Sequence, residues 1–214
     1  MDKKILLVGG GEHCKSIIDT LDRTGEYTEI GIIDTEENVG NLLLGNPVIG
    51  IDRDLEKFYK RGFKYAFVSL GSIGDSSLRV KLYNSLLEIG FEIPTIKDPS
   101  AIVSKSAKIG KGIFIGKNTV INTGSTINNC SIINTAVTIE HDCNIEEFVH
   151  IAPGTVLSGN VRIGKHTHIG ANSVVKQGLV IGSNTMIGMG SVVLKNFMND
   201  IVAFGNPCRE VKNK

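Results

Sequence analysis

The sequence predicts an α/β domain followed by a parallel β-helix, and three observations predict it. Stepping by six from Val103 to Val193 meets Ile, Leu or Val at all sixteen positions, without a slip in phase. Near the start, the apolar run Ile5–Val8 passes directly into Gly9-Gly10-Gly11 and then into a segment with helical spacing. Between the two regions, Asp98-Pro99-Ser100 punctuates the chain.

In the repeats, a strict period of six excludes helices, whose periods are 3.6 or 3.5. One short strand and one turn per hexad account for it, with a single aliphatic side chain pointing inward from each face. The position after the aliphatic is often Gly or Asn, as at Gly110, Gly116, Asn122, Gly164 and Gly182, which is expected to supply the unusual backbone angles of the corners. Four residues after the aliphatic the chain is mostly small: Thr119, Ser125, Ser131, Thr155, Thr167 and Ser173 are examples. Large and small inward residues then alternate, which suits a narrow solenoid.

The first ninety-odd residues alternate strand and helix signals. Strands are expected at Ile5–Val8, Thr28–Ile33, Tyr65–Leu70 and Glu92–Ile96, with helices at His13–Leu21 and Ser76–Glu88. That alternation predicts a small Rossmann-like domain with a parallel sheet over residues 1–98, leaving 99–214 to the β-helix and its tail. Strand, glycine turn and helix is how a nucleotide-binding unit opens, and a helix N-terminus can hold phosphate on its N–H groups. Asp34 follows at a distance suited to a ribose hydroxyl. The third glycine of the G-x-G-x-x-G pattern would fall at Cys14. A second reading therefore stands beside the first: the glycines only allow a tight turn and Asp34 caps a strand.

Composition bounds the function. A net charge of +1 gives no general attraction to nucleic acid or anionic membrane. Cys14, Cys130, Cys143 and Cys208 show neither C-x-x-C spacing nor disulfide density, so they read as free thiols of a reducing compartment. With no signal-peptide pattern and no apolar run of spanning length, a cytoplasmic location is expected.

One hexad departs from the small polar rule: Ile139-Glu140-His141-Asp142-Cys143-Asn144. His141 lies two residues past its aliphatic and should project from a corner. Neutral imidazole can take a proton near pH 7, and a neighbouring carboxylate can fix its tautomer. His141 is accordingly assigned as general base and Asp142 as its orienting partner, with Glu140 as the rival for that second role.

Repeats such as Ile163-Gly-Lys-His-Thr-His and Ile181-Gly-Ser-Asn-Thr-Met resemble the hexapeptide-repeat acyltransferases. That resemblance implies a left-handed, triangular β-helix with three hexads per coil, hence about five coils. Gly9-Gly-Gly-Glu-His13-Cys-Lys, with Leu70-Gly-Ser-Ile-Gly-Asp75 and Arg79, is similar to one subfamily, the bacterial nucleotide-sugar N-acetyltransferases and sialic-acid O-acetyltransferases. The resemblance implies acetyl-CoA as co-substrate and a homotrimer with active sites between subunits. It places the nucleotide of the acceptor, a UDP-4-amino-4,6-dideoxy sugar, at Gly9, Gly10, Gly11, His13 and Asp34. It also implies an acetyl-CoA site at His150, Gly159, Ala171 and Lys195.

With eighteen residues per coil, Gly159 falls directly above His141, where its N–H can meet the acetyl carbonyl oxygen as charge develops. A glycine needed only for corner geometry is the plainer alternative. His150 and His168 are also eighteen apart and should stack, with His166 and His168 as surface ladder residues. Glu12 and Thr35 depart from the subfamily pattern beside the nucleotide residues. Cys208 replaces the usual Ala in a tail resembling Gly-x-Pro-Ala, near which Lys195 and Arg209 are placed to meet CoA phosphates. Three other functions are compatible with the chain: O-acetylation of sialic acid or a related nonulosonate, zinc-dependent hydration of the γ-carbonic-anhydrase type, and non-catalytic sensing of a sugar nucleotide. No metal is expected for the acetyltransferase reading.

Overall fold

The computed structural model describes residues 3–213. The chain divides into two compact units, one of residues 1–71 with 77–96, the other of residues 72–76 with 97–214.

The first unit is an α/β domain. Strands β1 (Lys4–Val8) and β2 (Glu29–Ile33) flank helix α1 (Glu12–Thr24). A short hairpin, β3 (Leu42–Leu43) and β4 (Asn46–Gly50), precedes helix α2 (Leu55–Lys60); strand β5 (Tyr65–Val68) and helix α3 (Ser77–Ile89) complete the unit. The sheet order is β3-β4-β2-β1-β5, with all pairings parallel except the β3–β4 hairpin. Ile5, Leu6 and Leu7 are wholly buried, which explains an unbroken apolar run rather than an alternating one. Helix α1 turns Cys14, Ile17, Ile18 and Leu21 inward and ends where Gly25 takes a left-handed conformation and its N–H reaches the Leu21 carbonyl.

Two expectations for this unit need correction. The strand predicted at Glu92–Ile96 reduces to an isolated bridge between Tyr65 and Glu92 and the two-residue strand β6 (Ile96–Lys97), because Pro94 cannot donate to a ladder. Residues 42–60 carry the β3–β4 hairpin and a helix that the sequence reading left out; Pro47 and a helix of only six residues hid their periodicity.

The second unit is the β-helix. Sixteen two-residue strands, β7 (Ile102–Val103) to β22 (Val192–Val193), follow at one per hexad. Every third strand pairs in parallel, so β7, β10, β13, β16, β19 and β22 form one face and β8, β11, β14, β17 and β20 the next. The third face contains β9, β12, β15, β18 and β21, extended by β23 (Ile201–Gly205) and β24 (Cys208–Asn213). From β7 to β22 partners are eighteen residues apart, for example Ile121 with Ile139 and Ile139 with Leu157.

From Ile115 onward the aliphatics of the six-residue register are buried, while Val103 and Ile109 are only partly so. Each such side chain contributes about 1.5–3 kcal/mol. The small inward residues close the polar account of the corners. Thr119 Oγ1 donates to the Asn134 carbonyl at 2.9 Å, Ser125 Oγ to Glu140 at 2.7 Å, Ser131 Oγ to Glu146 at 2.9 Å and Thr167 Oγ1 to Gly182 at 2.7 Å.

Corner geometry differs from the expectation. The left-handed residues sit three positions after the aliphatic, not one, and do so at every hexad from Gly112 to Gly190. Asn118, Cys130, Ala136 and Phe148 all occupy this conformation, with φ of 55–57°. Glycines directly after the aliphatic answer to a different demand. A Cβ on Gly116 would lie 2.8 Å from the Thr135 backbone nitrogen, and one on Gly164 2.5 Å from that of Ser183. They permit close stacking of coils, not an unusual φ.

Candidate active site

Two places gather the residues singled out by sequence, one in each unit. In the β-helix, His141 and Asp142 form the turn after β13 (Thr138–Ile139). The Asp142 N–H donates to the Thr123 carbonyl at 3.0 Å, which fixes that turn, and Asp142 itself has φ of 60°. His141 Nδ1 lies 3.0 Å from Asp142 Oδ2. Their side chains are 58% and 66% exposed, so the pair faces solvent and is open to a reactant.

The other carboxylate of the hexad is engaged elsewhere: Asn122 Nδ2 donates to Glu140 Oε2 at 3.0 Å. When the Asp142 carboxylate accepts the Nδ1 proton, the Nε2 lone pair is left free.

Gly159 stands one coil above. A Cβ there would lie 2.5 Å from His141 Nε2 and 2.6 Å from Cε1, so the glycine is required by the imidazole and not by a left-handed φ. The strand registers that carry 141 to 159 carry it two coils further to Lys195, at the same corner.

The remaining predicted residues of this unit lie elsewhere in the chain. His150 is in β15 (His150–Ile151) on the third face, and Ala171 is in the corner after that face. His150 pairs with His168, their rings edge to face at 4.9 Å between centroids. The segment Ser72–Ser76 covers them: His150 Nδ1 donates to the Ser72 carbonyl at 2.8 Å. Burial lowers the His168 pKa, with the Ser72 carbonyl opposing the shift. His166 stacks on Phe148 and its Nδ1 is 2.9 Å from Ser76 Oγ. His166 and His168 are therefore not surface ladder residues. Their cover comes from a loop about ninety residues distant in sequence, which no local pattern reveals.

In the α/β unit a cavity of about 540 Å³ opens at the C-terminal ends of β1, β2 and β4. Ligands of open parallel sheets bind at such strand ends. It is lined by Val8 and Gly9, by Asp34 and Thr35, and by residues the sequence reading missed, among them Glu36, Ile51, Asp52 and Arg53. Gly9 has φ of +108°, which favours glycine, and its N–H donates to the Ile33 carbonyl at 2.8 Å.

The Gly10 backbone lies against Asp34, since a Cβ on it would come within 2.5 Å of Oδ2. Asp34 Oδ2 also accepts from Asn38 Nδ2 at 2.9 Å. Gly11 caps helix α1 with open space where a Cβ would stand. His13 turns instead toward Gly71, and burial, reinforced by the Arg79 charge, lowers its pKa to about 4. Arg53 Nη2 pairs with Glu36 Oε1 at 3.1 Å on the cavity rim. The general signal for Arg53 was available, namely a loop following a strand end, but strand β4 was not recognised.

Among the described residues, no group of three or more His, Cys, Asp or Glu is arranged to hold a metal ion. No helix among them is long and apolar enough to cross a membrane.

Residues 4–86 match the PglD N-terminal domain, residues 142–177 the bacterial transferase hexapeptide (six repeats), and residues 160–195 the hexapeptide repeat of succinyl-transferase. The acetyltransferase domain of PglB from Neisseria gonorrhoeae, solved in complex with acetyl coenzyme A, is 32% identical, with a TM-score of 0.92 over 99% of this chain and 100% of that one. The chain belongs to the hexapeptide-repeat sugar acetyltransferases.

A second member of this family, perosamine N-acetyltransferase from Caulobacter crescentus, was solved as an H141N mutant in complex with CoA and GDP-perosamine. It is 31% identical, with a TM-score of 0.92 over 98% of this chain and 97% of that one. WeeI from Acinetobacter baumannii, at 24% identity and a TM-score of 0.87 over 98% of this chain and all of that one, shares the fold. As in the family, the repeats here wind a left-handed parallel β-helix, which follows the α/β domain along the chain.

Proposed function

We propose that the chain transfers the acetyl group of acetyl-CoA to the amine of a nucleotide-linked amino sugar, with His141 as general base. The observation that carries this reading is the 3.0 Å contact between His141 Nδ1 and Asp142 Oδ2, with Gly159 leaving the Nε2 edge clear. It stands in a chain about one-third identical, over nearly its whole length, to structures holding CoA or acetyl-CoA, one of them with GDP-perosamine.

In the reaction the neutral amine attacks the thioester carbonyl carbon. His141 Nε2 takes the proton the nitrogen loses as the C–N bond forms, and the Asp142 carboxylate stabilises the imidazolium. The Gly159 N–H, which donates to no partner among the described residues, faces the carbonyl oxygen while it is negative. The C–S bond then breaks, and the thiolate leaves as the free thiol by taking the proton from the imidazolium.

His141, Gly159 and Lys195 share one corner of the β-helix, whereas His150 and Ala171 lie toward another. An acetyl-CoA site built from both sets requires two copies of the chain, which is the support for a trimer with CoA lying between neighbours. For the acceptor, the cavity at Gly9 and Asp34 holds the nucleotide. The resemblance of the glycine–histidine opening favours UDP carrying a 4-amino-4,6-dideoxy sugar. An enzyme of this kind works in the cytoplasm, where acetyl-CoA and nucleotide sugars are made.

Thiol release from acetyl-CoA, followed with UDP-, GDP- and dTDP-4-amino sugars and with free and CMP-linked sialic acid, tests the reading. Turnover with one nucleotide amino sugar supports it. Turnover with sialic acid alone moves the enzyme to O-acetylation.

A further inference from the structure

Gly124 lies one coil below Asp142, and its position bears on the carboxylate rather than on the backbone. A Cβ added to Gly124 would overlap Asp142 Oδ1, the oxygen not bonded to His141. Its φ of +71° does not by itself demand glycine, because Asn118, Cys130, Ala136 and Phe148 hold the same hexad position at φ of 55–57°. In this fold, then, the conformation is open to residues with side chains, and the space is not. Asp142 is 66% exposed and, among the described residues, its carboxylate has no hydrogen bond besides the one to His141, so a crowded Oδ1 would swing outward and take Oδ2 away from Nδ1.

We infer that Gly124 is a positioning residue for the acetyl transfer, keeping vacant the volume in which the Asp142 carboxylate stands while it orients His141. The inference rests on the reading of His141 and Asp142 as base and orienter. It supplies a constraint from below that complements the one Gly159 imposes from above. The dyad is thus framed by glycines of the preceding and following coils.

Gly154 provides a matched comparison. It has φ of +70°, and a Cβ on it would overlap Oδ1 of Asn172, one coil above in the same manner, without touching the dyad. The test measures kcat, KM for acetyl-CoA and melting temperature of the full chain as Gly124→Ala, Gly124→Asn, Gly154→Ala, Asp142→Asn and the double variant Gly124→Ala/Asp142→Asn. Asn restores the left-handed preference seen at Asn118 and keeps the added Cβ, so it separates crowding from strain if the Ala variant folds poorly.

Both Gly124 variants should lose about tenfold or more in kcat, with KM for acetyl-CoA within about twofold, whereas Gly154→Ala keeps kcat within about twofold at a similar loss of melting temperature. In the Asp142→Asn background, Gly124→Ala should cost nothing further. A kcat for Gly124→Asn equal to that of the unmodified chain, or full multiplicative losses in the double variant, overturns the inference. His141→Ala separates the two levels. If that variant is active, the base assignment itself fails; if it is inactive while Gly124→Asn is normal, only the positioning role fails.

Discussion

Gly159 and His141 are in contact across one turn of the β-helix, the glycine lying over the imidazole edge so that a Cβ on it would fall 2.5 Å from Nε2. Gly159→Ala must therefore move the ring or itself. Neither strain nor core packing is at stake, so the folded chain should persist. Turnover should fall by about tenfold to a hundredfold, and acetyl-CoA affinity should fall further for the bulkier Gly159→Val. Steady-state kinetics beside circular dichroism checks both; unchanged affinity in the Val variant would remove the glycine from the acetyl-CoA site.

His141→Ala should lower kcat by about 10²–10⁴-fold, the usual worth of a positioned general base. Asp142→Asn should cost less, because the ring remains and only its orientation suffers. Since both side chains are more than half exposed, neither change should shift the melting temperature by more than a few degrees. An Asp142→Asn variant as slow as His141→Ala would mean the carboxylate does more than orient.

His13 makes stability depend on pH. Its folded pKa of about 4 lies below the 6.5 of an unfolded histidine, so between these values the unfolded chain binds the extra proton. Stability from this residue is complete above pH 6.5 and falls as the solution is acidified toward 4. From pH 7 to pH 5 the loss should be about 2 kcal/mol. Urea midpoints at the two pH values should converge for His13→Asn; a slope unchanged by the substitution would assign the acid sensitivity elsewhere.

The inward hydroxyls should matter more than their size suggests. Thr167→Val keeps the shape of a wholly buried side chain but leaves the Gly182 carbonyl without its 2.7 Å donor. A cost of about 1–3 kcal/mol is expected in chemical denaturation. A neutral substitution would mean that water enters the corner.

All four cysteines are buried, and burial raises the thiol pKa of Cys143 and Cys208 and pushes Cys14 up to about 11. Ellman's reagent should therefore label the native chain slowly at pH 8 and titrate four thiols after denaturation. Rapid labelling of the native protein would contradict the packed inward position of Cys143.

The β-helix was legible because its physics is local and repeated: one inward aliphatic per hexad, sampled sixteen times, leaves little room for another period. The stacking of Gly159 on His141 and of His150 on His168 followed from the same arithmetic. What escaped depended on contacts distant in sequence. No pattern around His166 or His168 announces that Ser72–Ser76 lies over them. Nor does the sequence show that Glu140 accepts from Asn122 while Asp142 meets His141. Corner glycines were assigned to unusual angles, although at Gly116 and Gly164 they relieve crowding between coils. In the α/β unit the short elements between Leu42 and Lys60 were missed, and with them the Arg53 side of the cavity.

The two registers of the β-helix answer to different moduli. Its core reads sequence position modulo six, so removal of one hexad would bring another aliphatic into every vacated inward slot. The corner holding Gly124, Asp142, His141 and Gly159 reads position modulo eighteen, since the two glycines meet the His141–Asp142 pair only across whole turns. A six-residue deletion between His141 and Gly159 would leave a packed solenoid whose glycine faces a different side. A six-residue change beyond Gly159 would leave glycine and imidazole stacked. The core thus accepts length changes in sixes, while the spacing from His141 to Gly159 has to stay at one coil.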